Sequence, residues 1–299
     1  MTRLKELNGY SKKNKGNIMR VCIVGIGLIG GSLAIDLRKR GFAEHIVGVD
    51  NNIQHQNLAL LTGLVDEIET LEKSVEKSDL IILCTPVDRI RETLPAVLTM
   101  IQGSKKVVTD MGSTKSSIAE AVVNHPARGR YVALHPMAGT EFSGPLAALG
   151  KLFDYKHVIV CDKELSDNDA IGEVIEMLKV LNMKLSYMSS SSHDLHVAYV
   201  SHISHITSFS LALSVLEKEQ DEENILTLAA GGFESTVRLA KSNAETWAPI
   251  FIQNSEFIVE VLDTYIDKMN LFKKYIIEKD SASLSELMNK ANEIRKILN

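Results

Sequence analysis

The sequence predicts an α/β fold, a doubly wound parallel sheet, followed by an all-α C-terminal domain. Three observations carry this. Sixteen of the 18 glycines lie at or before Gly172, and five of the six prolines lie between Pro86 and Pro145. Short elements joined by turns therefore give way to long uninterrupted helices. The front part alternates short β-branched runs with helical patterns, as parallel strands covered by helices on both faces do. A G-x-G-x-x-G string stands between the first strand and the first helix.

Residues 20–24, 45–49, 80–84, 106–109, 131–134 and 158–161 read as strands, continuous and apolar as strands buried on both faces are. Residues 32–40, 53–61 and 114–123 read as helices, and 169–181 and 184–187 as one further helix and strand. The serine run 189–192 can cap and start a helix and marks a boundary. The expected organisation is a flexible polar tail over 1–18, a dinucleotide-binding domain over 19–188 and an all-helical substrate and dimerisation domain over 189–299. In the last, Phe257, Val261, Tyr265 and Met269 recur at four-residue spacing.

Of the 299 residues, 45% are hydrophobic and 24% charged, and the net charge is -5. That balance gives ample core and argues against nucleic acid or an anionic membrane as partner, since both call for a basic face. No apolar run approaches the roughly 18 residues of a membrane span, and the tail has no apolar signal-peptide segment. Cys22, Cys84 and Cys161 lie far apart, each in an apolar run. They predict buried thiols in a reduced, cytoplasmic protein, with neither a disulfide framework nor a zinc site.

Each glycine of the string Gly25-Ile26-Gly27-Leu28-Ile29-Gly30 has its own role. Gly25 serves the tight turn, Gly27 the approach of a pyrophosphate, and Gly30 close helix–strand packing. The helix N-terminus then holds the phosphates through its amides and dipole. The next strand ends at Asp50, where a Rossmann-type fold places an acid on the ribose hydroxyls. Asn51 and Asn52 follow, with no arginine for a 2′-phosphate, so the site favours NAD over NADP. Thr85 and Pro86 end another strand, and Ser113 lies just past the next. In open parallel sheets these positions line the ligand crevice. An ordinary turn accounts for Thr85 and Pro86 equally well, and Ser113 also suits a helix N-cap.

His135 ends a strand and precedes Pro136 and a glycine-containing loop with Glu141. It reads either as an acid/base at the crevice or as a buried histidine with hydrogen-bond partners. Four of the nine histidines, His193, His196, His202 and His205, fall within 13 residues. Helical geometry sets His193 opposite His202, so the four do not converge on a metal, whereas His202 and His205 share a face. They read as polar substrate contacts, with His193 and His196 alternatively surface residues. Arg238 follows Gly231-Gly232 in an otherwise apolar, small-residue segment, and Trp247 comes next.

From about residue 19 to 253, these motifs together resemble the prephenate dehydrogenase family, which includes arogenate dehydrogenases. The resemblance rests on the fingerprint, on Asp110-x-Gly-Ser113-x-Lys115, His135-Pro-x-Ala-Gly139, His193-Asp194 with Ser201-His202-x-x-His205, and Gly231-Gly232 before Arg238. It implies NAD-dependent oxidative decarboxylation of prephenate to 4-hydroxyphenylpyruvate in tyrosine biosynthesis, by a homodimer joined through its helical domain. It makes His135 the base on the substrate's 4-hydroxyl and Ser113 the bridge between that hydroxyl and the nicotinamide. Arg238 becomes the carboxylate ligand, with His202 and His205 in the substrate pocket. Glu141 would be a further substrate contact, facing either a keto acid or an amino acid. Where some relatives carry Asp and Thr near the arginine, this chain has Ser235 and Val237, which removes one ion-pair partner unless Glu234 replaces it. No regulatory or mutase domain is expected. The alternatives are the same chemistry on arogenate, a β-hydroxyacid dehydrogenase, and a silent NAD-binding sensor. The second would be expected to carry a lysine early in the helical domain, and residues 201–210 hold none.

Overall fold

The computed structural model describes residues 19–222 and 224–297; the expected tail over 1–18 lies outside them. The strands are β1 (Met19–Val24), β2 (Ala43–Val49), β3 (Glu67–Ile68), β4 (Leu80–Leu83), β5 (Val107–Asp110), β6 (Tyr131–Pro136), β7 (His157–Cys161) and β8 (Lys184–Met188). They form one sheet in the order β3-β2-β1-β4-β5-β6-β7-β8. Every neighbouring pair is parallel except β6 with β7. The order turns outward in both directions from the β1/β4 pair, the switch point beside which such sheets bind their ligands.

Helices α1 (Leu28–Lys39), α2 (Ile53–Leu61), α3 (Leu71–Lys77), α4 (Val87–Met100), α5 (Ser116–Glu120) and α6 (Asn168–Val180) cover the sheet. Alternate residues of β1 serve two separate cores: Val21 and Ile23 pack with Leu33 and Leu37 of α1 on one face, and Cys22 and Val24 with Ile90 and Leu94 of α4 on the other. Burial on both faces explains the unbroken apolar runs.

Some elements depart from the pattern read in the sequence. The α4 helix is not among the expected ones, because Pro86 precedes it and Pro95 sits inside it. Pro95 removes one helix donor, yet Val87, Ile90, Leu94, Val97 and Leu98 share one buried face, and that burial holds the helix together. The helix expected over 114–123 contracts to α5, since Thr114 and Lys115 are buried and held by side-chain bonds described below.

Beyond β8 come α7 (Ser190–Val197), α8 (Ile203–Asp221), α9 (Gly231–Val237), α10 (Ala244–Gln253), α11 (Ser255–Glu278) and α12 (Ser281–Ala291), with a π-turn over Ala198–His202. The Ser189 hydroxyl accepts from Ser192 N–H (3.1 Å), so the serine run does start a helix.

The chain forms two compact units. The first comprises the residues up to His193 together with Lys241–Gln253, and the second comprises Asp194–Ala240 and the residues from Asn254 onward. Thus α10, which the sequence pattern places in the helical domain, belongs to the first unit, where Ile250 joins the core built on α4. In the second unit Ser208 of α8 donates to Thr236 O and accepts from Ala240 N–H, both at 3.0 Å, which ties α8 to α9. Along α11 Val261 is buried, whereas Tyr265 and Met269 of the same stripe are exposed.

Glu173 of α6 has its Oε1 buried without a hydrogen-bond partner among the described residues. Burial raises its carboxyl to about 7; Arg130 opposes the shift, and Asp79 and Asp169 add to it. The folded chain therefore keeps this proton up to about pH 7, while the unfolded chain releases it near 4.5. Stability is lost as pH rises through that window. Glu173→Gln is expected to raise Tm at about pH 8 and to leave it nearly unchanged at about pH 5, measured by thermal denaturation.

Candidate active site

The fingerprint turn is built around two steric demands. Gly25 has φ +92°, and a Cβ there would lie 2.9 Å from the Cys84 carbonyl and the Thr85 nitrogen. A Cβ on Gly30 would sit 2.1 Å from Gly25 O, so only glycine lets α1 approach β1. At Gly27, by contrast, a Cβ would meet nothing within 4 Å. Gly27 is the N-cap of α1; no side chain caps the helix and its first turn carries no acid. Uncapped amides beneath open space suit a phosphate. Leu28 and Ile29 form that first turn and are half-buried.

Asp50 closes the other side of the turn. Its Oδ2 accepts from Ile26 N–H (3.0 Å) and its Oδ1 from Asn52 N–H (2.9 Å). A carboxylate offers about four lone-pair sites, which leaves capacity for ribose hydroxyls. Asn52 in turn caps α2, its Oδ1 accepting from Gln54 and His55 N–H. Thr85 is half-buried beside the Gly25 turn, and Pro86 is exposed as the N-cap of α4.

One strand further, Asp110 ends β5 with its carboxylate fully buried and saturated. Oδ1 accepts from the Tyr131 hydroxyl (2.7 Å) and Leu134 N–H (3.3 Å), and Oδ2 accepts from Gly112 N–H (2.9 Å) and from Lys115 Nζ. The Lys115 side chain is fully buried as well. Burial, reinforced by the Asp110 charge, pushes the Tyr131 phenol well above its ordinary value, so Tyr131 stays a donor. These bonds fold residues 111–115 back on β5 and leave Ser113 half-buried in the bend. Ser113 is not the N-cap of α5; Lys115 takes that position. The loop is also held by α10, as Thr114 and Ser117 both donate to Gln253 Oε1, at 3.0 and 2.7 Å.

His135 lies near the end of β6, adjacent to the Leu134 amide that Asp110 binds, and is 8% exposed. Its Nδ1 is 2.7 Å from Nε2 of His193. His193 is fully buried, contrary to the surface position considered for it, while His196 is exposed, as that reading has it. Glu141 is half-buried in the loop after β6.

In the second unit, the Asn254 amide donates to Asp194 O (2.8 Å) and to His202 Nδ1 (3.0 Å), so neutral His202 carries its proton on Nε2 and is a donor there. His205 Nδ1 donates to Ser201 O (3.1 Å). Burial and, to a smaller extent, the Arg238 charge lower the His205 pKa, with the Ser201 carbonyl opposing them. His205 is therefore neutral and presents Nε2 as an acceptor. Arg238 follows the end of α9 and is exposed. The sequence-predicted residues thus divide between the units: the fingerprint, Asp50, Thr85, Pro86, Ser113, His135 and Glu141 in the first, His202, His205 and Arg238 in the second. Sequence reasoning assigns no role to Lys115 or Gln253 and no partner to His193, although Lys115 and His193 stand inside the motifs quoted above. Among the described residues no group of three or more His, Cys, Asp or Glu could hold a metal ion.

Two family profiles match the chain: the prephenate dehydrogenase nucleotide-binding domain over residues 33–187 and the prephenate dehydrogenase dimerization domain over residues 189–290. The chain belongs to the prephenate dehydrogenase family. It is accordingly an oxidoreductase. The fingerprint precedes the first matched span, so it adds to the assignment independently. Prephenate dehydrogenase of Bacillus subtilis is 29% identical over 279 residues, covering 92% of this chain and 75% of that one. The crystal structure of prephenate dehydrogenase from A. aeolicus in complex with hydroxyphenyl propionate and NAD+ superposes with a TM-score of 0.84 at 28% identity, covering 96% of this chain and 100% of that one. Arogenate dehydrogenase of Synechocystis gives a TM-score of 0.73 at 27% identity, over 94% of this chain and 100% of that one.

The Asp110–Lys115 pair is the feature of this site most sensitive to change, because removing one partner strands a buried charge. Lys115→Met is expected to destabilise the protein by about 3–5 kcal/mol in urea denaturation. A loss of under about 1 kcal/mol, the range of an exposed pair, would show that Lys115 is reached by water.

Proposed function

We propose that the protein catalyses the NAD-dependent oxidative decarboxylation of prephenate to 4-hydroxyphenylpyruvate, in tyrosine biosynthesis, as a cytoplasmic homodimer. The observation that carries the reaction is His135: a nearly buried imidazole at the end of a sheet strand, with Nδ1 already engaged. Proton transfer with a substrate then falls to Nε2. The uncapped α1 N-terminus, the space over Gly27 and the Asp50 carboxylate fit a dinucleotide with free ribose hydroxyls, which supports NAD over NADP. When bound, NAD supplies the two-electron acceptor for the ring carbon that bears the hydroxyl.

In this reading His135 takes the proton from the 4-hydroxyl as that carbon is oxidised to a carbonyl. Loss of carbon dioxide leaves its bonding electron pair in the ring, which becomes aromatic and returns negative charge to the same oxygen. His135 then gives the proton back, since substrate and product each carry one hydroxyl there. Ser113, half-buried past β5, is assigned the bridging contact to the substrate hydroxyl. His202 contributes a donor, His205 an acceptor and Glu141 a polar contact to the substrate. The dimer is supported by the family's dimerization domain and by the exposed Val259, Ile266, Met269 and Ile277 of α11. The reducing compartment is supported by the burial of Cys22, which raises its thiol to about 12 and leaves it unreactive. No helix among the described residues is long and apolar enough to cross a membrane.

NADH formation with prephenate and with arogenate, side by side, tests the substrate: faster turnover of arogenate would move the assignment to the amino acid. His135→Asn is expected to retain NAD binding while kcat falls by roughly 10²–10⁴-fold; an unchanged kcat would remove His135 from the chemistry. Arg238→Ala is expected to raise KM for the dicarboxylate substrate by about ten- to a hundredfold with a smaller change in kcat. Lysine should restore only part, for want of the planar fork.

A further inference from the structure

His193 is the buried group closest to the proposed chemistry that this mechanism leaves unused. Its Nε2 lies 2.7 Å from His135 Nδ1, and the rings meet edge to face at 72° with centroids 4.9 Å apart. The partner ring is firmly placed. His193 N–H donates to Ser189 O (2.9 Å). At the start of α7, Ser190 N–H donates to Asp162 Oδ1 (2.9 Å) and the Ser190 hydroxyl to Asp162 Oδ2. Asp162 follows the last residue of β7, the strand paired with β6, and β6 carries His135.

Two neutral imidazoles at this distance share one proton, and either can donate it. If His193 donates, His135 holds its own proton on Nε2 and cannot act as a base there. If His135 donates from Nδ1, its Nε2 is a lone pair and can accept. We propose that His193 is a positioning residue that accepts from His135 Nδ1–H, fixing His135 as the tautomer able to take the substrate proton at Nε2. Which ring nitrogen carries the proton is set by the hydrogen bond made at the other. The same bond serves the second half of the reaction. When Nε2 is protonated, the Nδ1–H becomes a charge-assisted donor to a neutral acceptor and strengthens. It relaxes when the proton returns to the phenol oxygen. A neutral acceptor orients the base without the permanent negative charge that a carboxylate in the same place would add.

The inference rests on His135 being the base of the proposed reaction, and two measurements separate the two. In NMR spectra of protein with isotope-labelled histidine, assigned through His135→Asn and His193→Leu, His135 is expected to be protonated at Nδ1 and bare at Nε2. The His193→Leu variant should lose that preference. In kinetics, His193→Leu should lower kcat by roughly ten- to a hundredfold, the scale of lost supporting hydrogen bonds, with KM and NAD binding little changed. His193→Gln places an amide oxygen near the position of Nε2 and should recover most of the loss. A proton found on His135 Nε2 overturns the proposal, and so does a Gln variant no better than Leu. If His135→Asn abolishes turnover while a folded His193→Leu retains it, the positioning role falls and the base stands. If His135→Asn keeps full turnover, the base falls, and the spectrum alone decides the tautomer.

Discussion

One carboxylate organises the first unit. Asp110 collects the Tyr131 hydroxyl, the amides of Leu134 and Gly112, and the Lys115 ammonium. A buried ion pair repays its desolvation only when the remaining lone pairs are also satisfied, and here all four contacts are made. Their effect is positional. Tyr131 and Leu134 fasten β6 to the end of β5, and Leu134 immediately precedes His135. Gly112 and Lys115 fold the following loop back, which sets Ser113. A strand that carries a candidate base and a loop that carries a candidate polar contact thus share one anchor. Networks of this kind concentrate consequence, because a half-satisfied set in a low-dielectric interior is worse than none.

How much the sequence discloses depends on how local each determinant is. The α2 helix has the bounds 53–61 read from its pattern, since Asn52 caps it within two or three residues. Gly25 and Gly30 are legible because their constraints come from the turn they occupy. By contrast, β3 has two residues, too few to show a period, and α4 is masked by prolines whose cost its buried face outweighs. Site residues follow the same rule. Lys115 carries no role in the sequence until Asp110 is placed beside it in the buried interior. His193 meets His135 across 58 positions, and α7 gives no local sign that this face is buried. Arg238 lowers the His205 pKa across an interval that no motif spacing reveals.

The position of α10 bears on how the chain is made. Residues 241–253 complete the core over α4 through Ile250 and hold the 114–117 loop through Gln253, yet they are encoded after the whole of α8 and α9. Chains emerge N-terminus first and domains commonly fold as units during synthesis. Here the nascent sheet has all its strands by Met188 but lacks a wall of its core until residue 253 has been added. In the interval, α4 has no α10 against it, and a growing chain paused there lacks the cover that Ile250 gives this core in the finished protein. A gene fragment ending at the sheet's last strand would carry the same defect permanently.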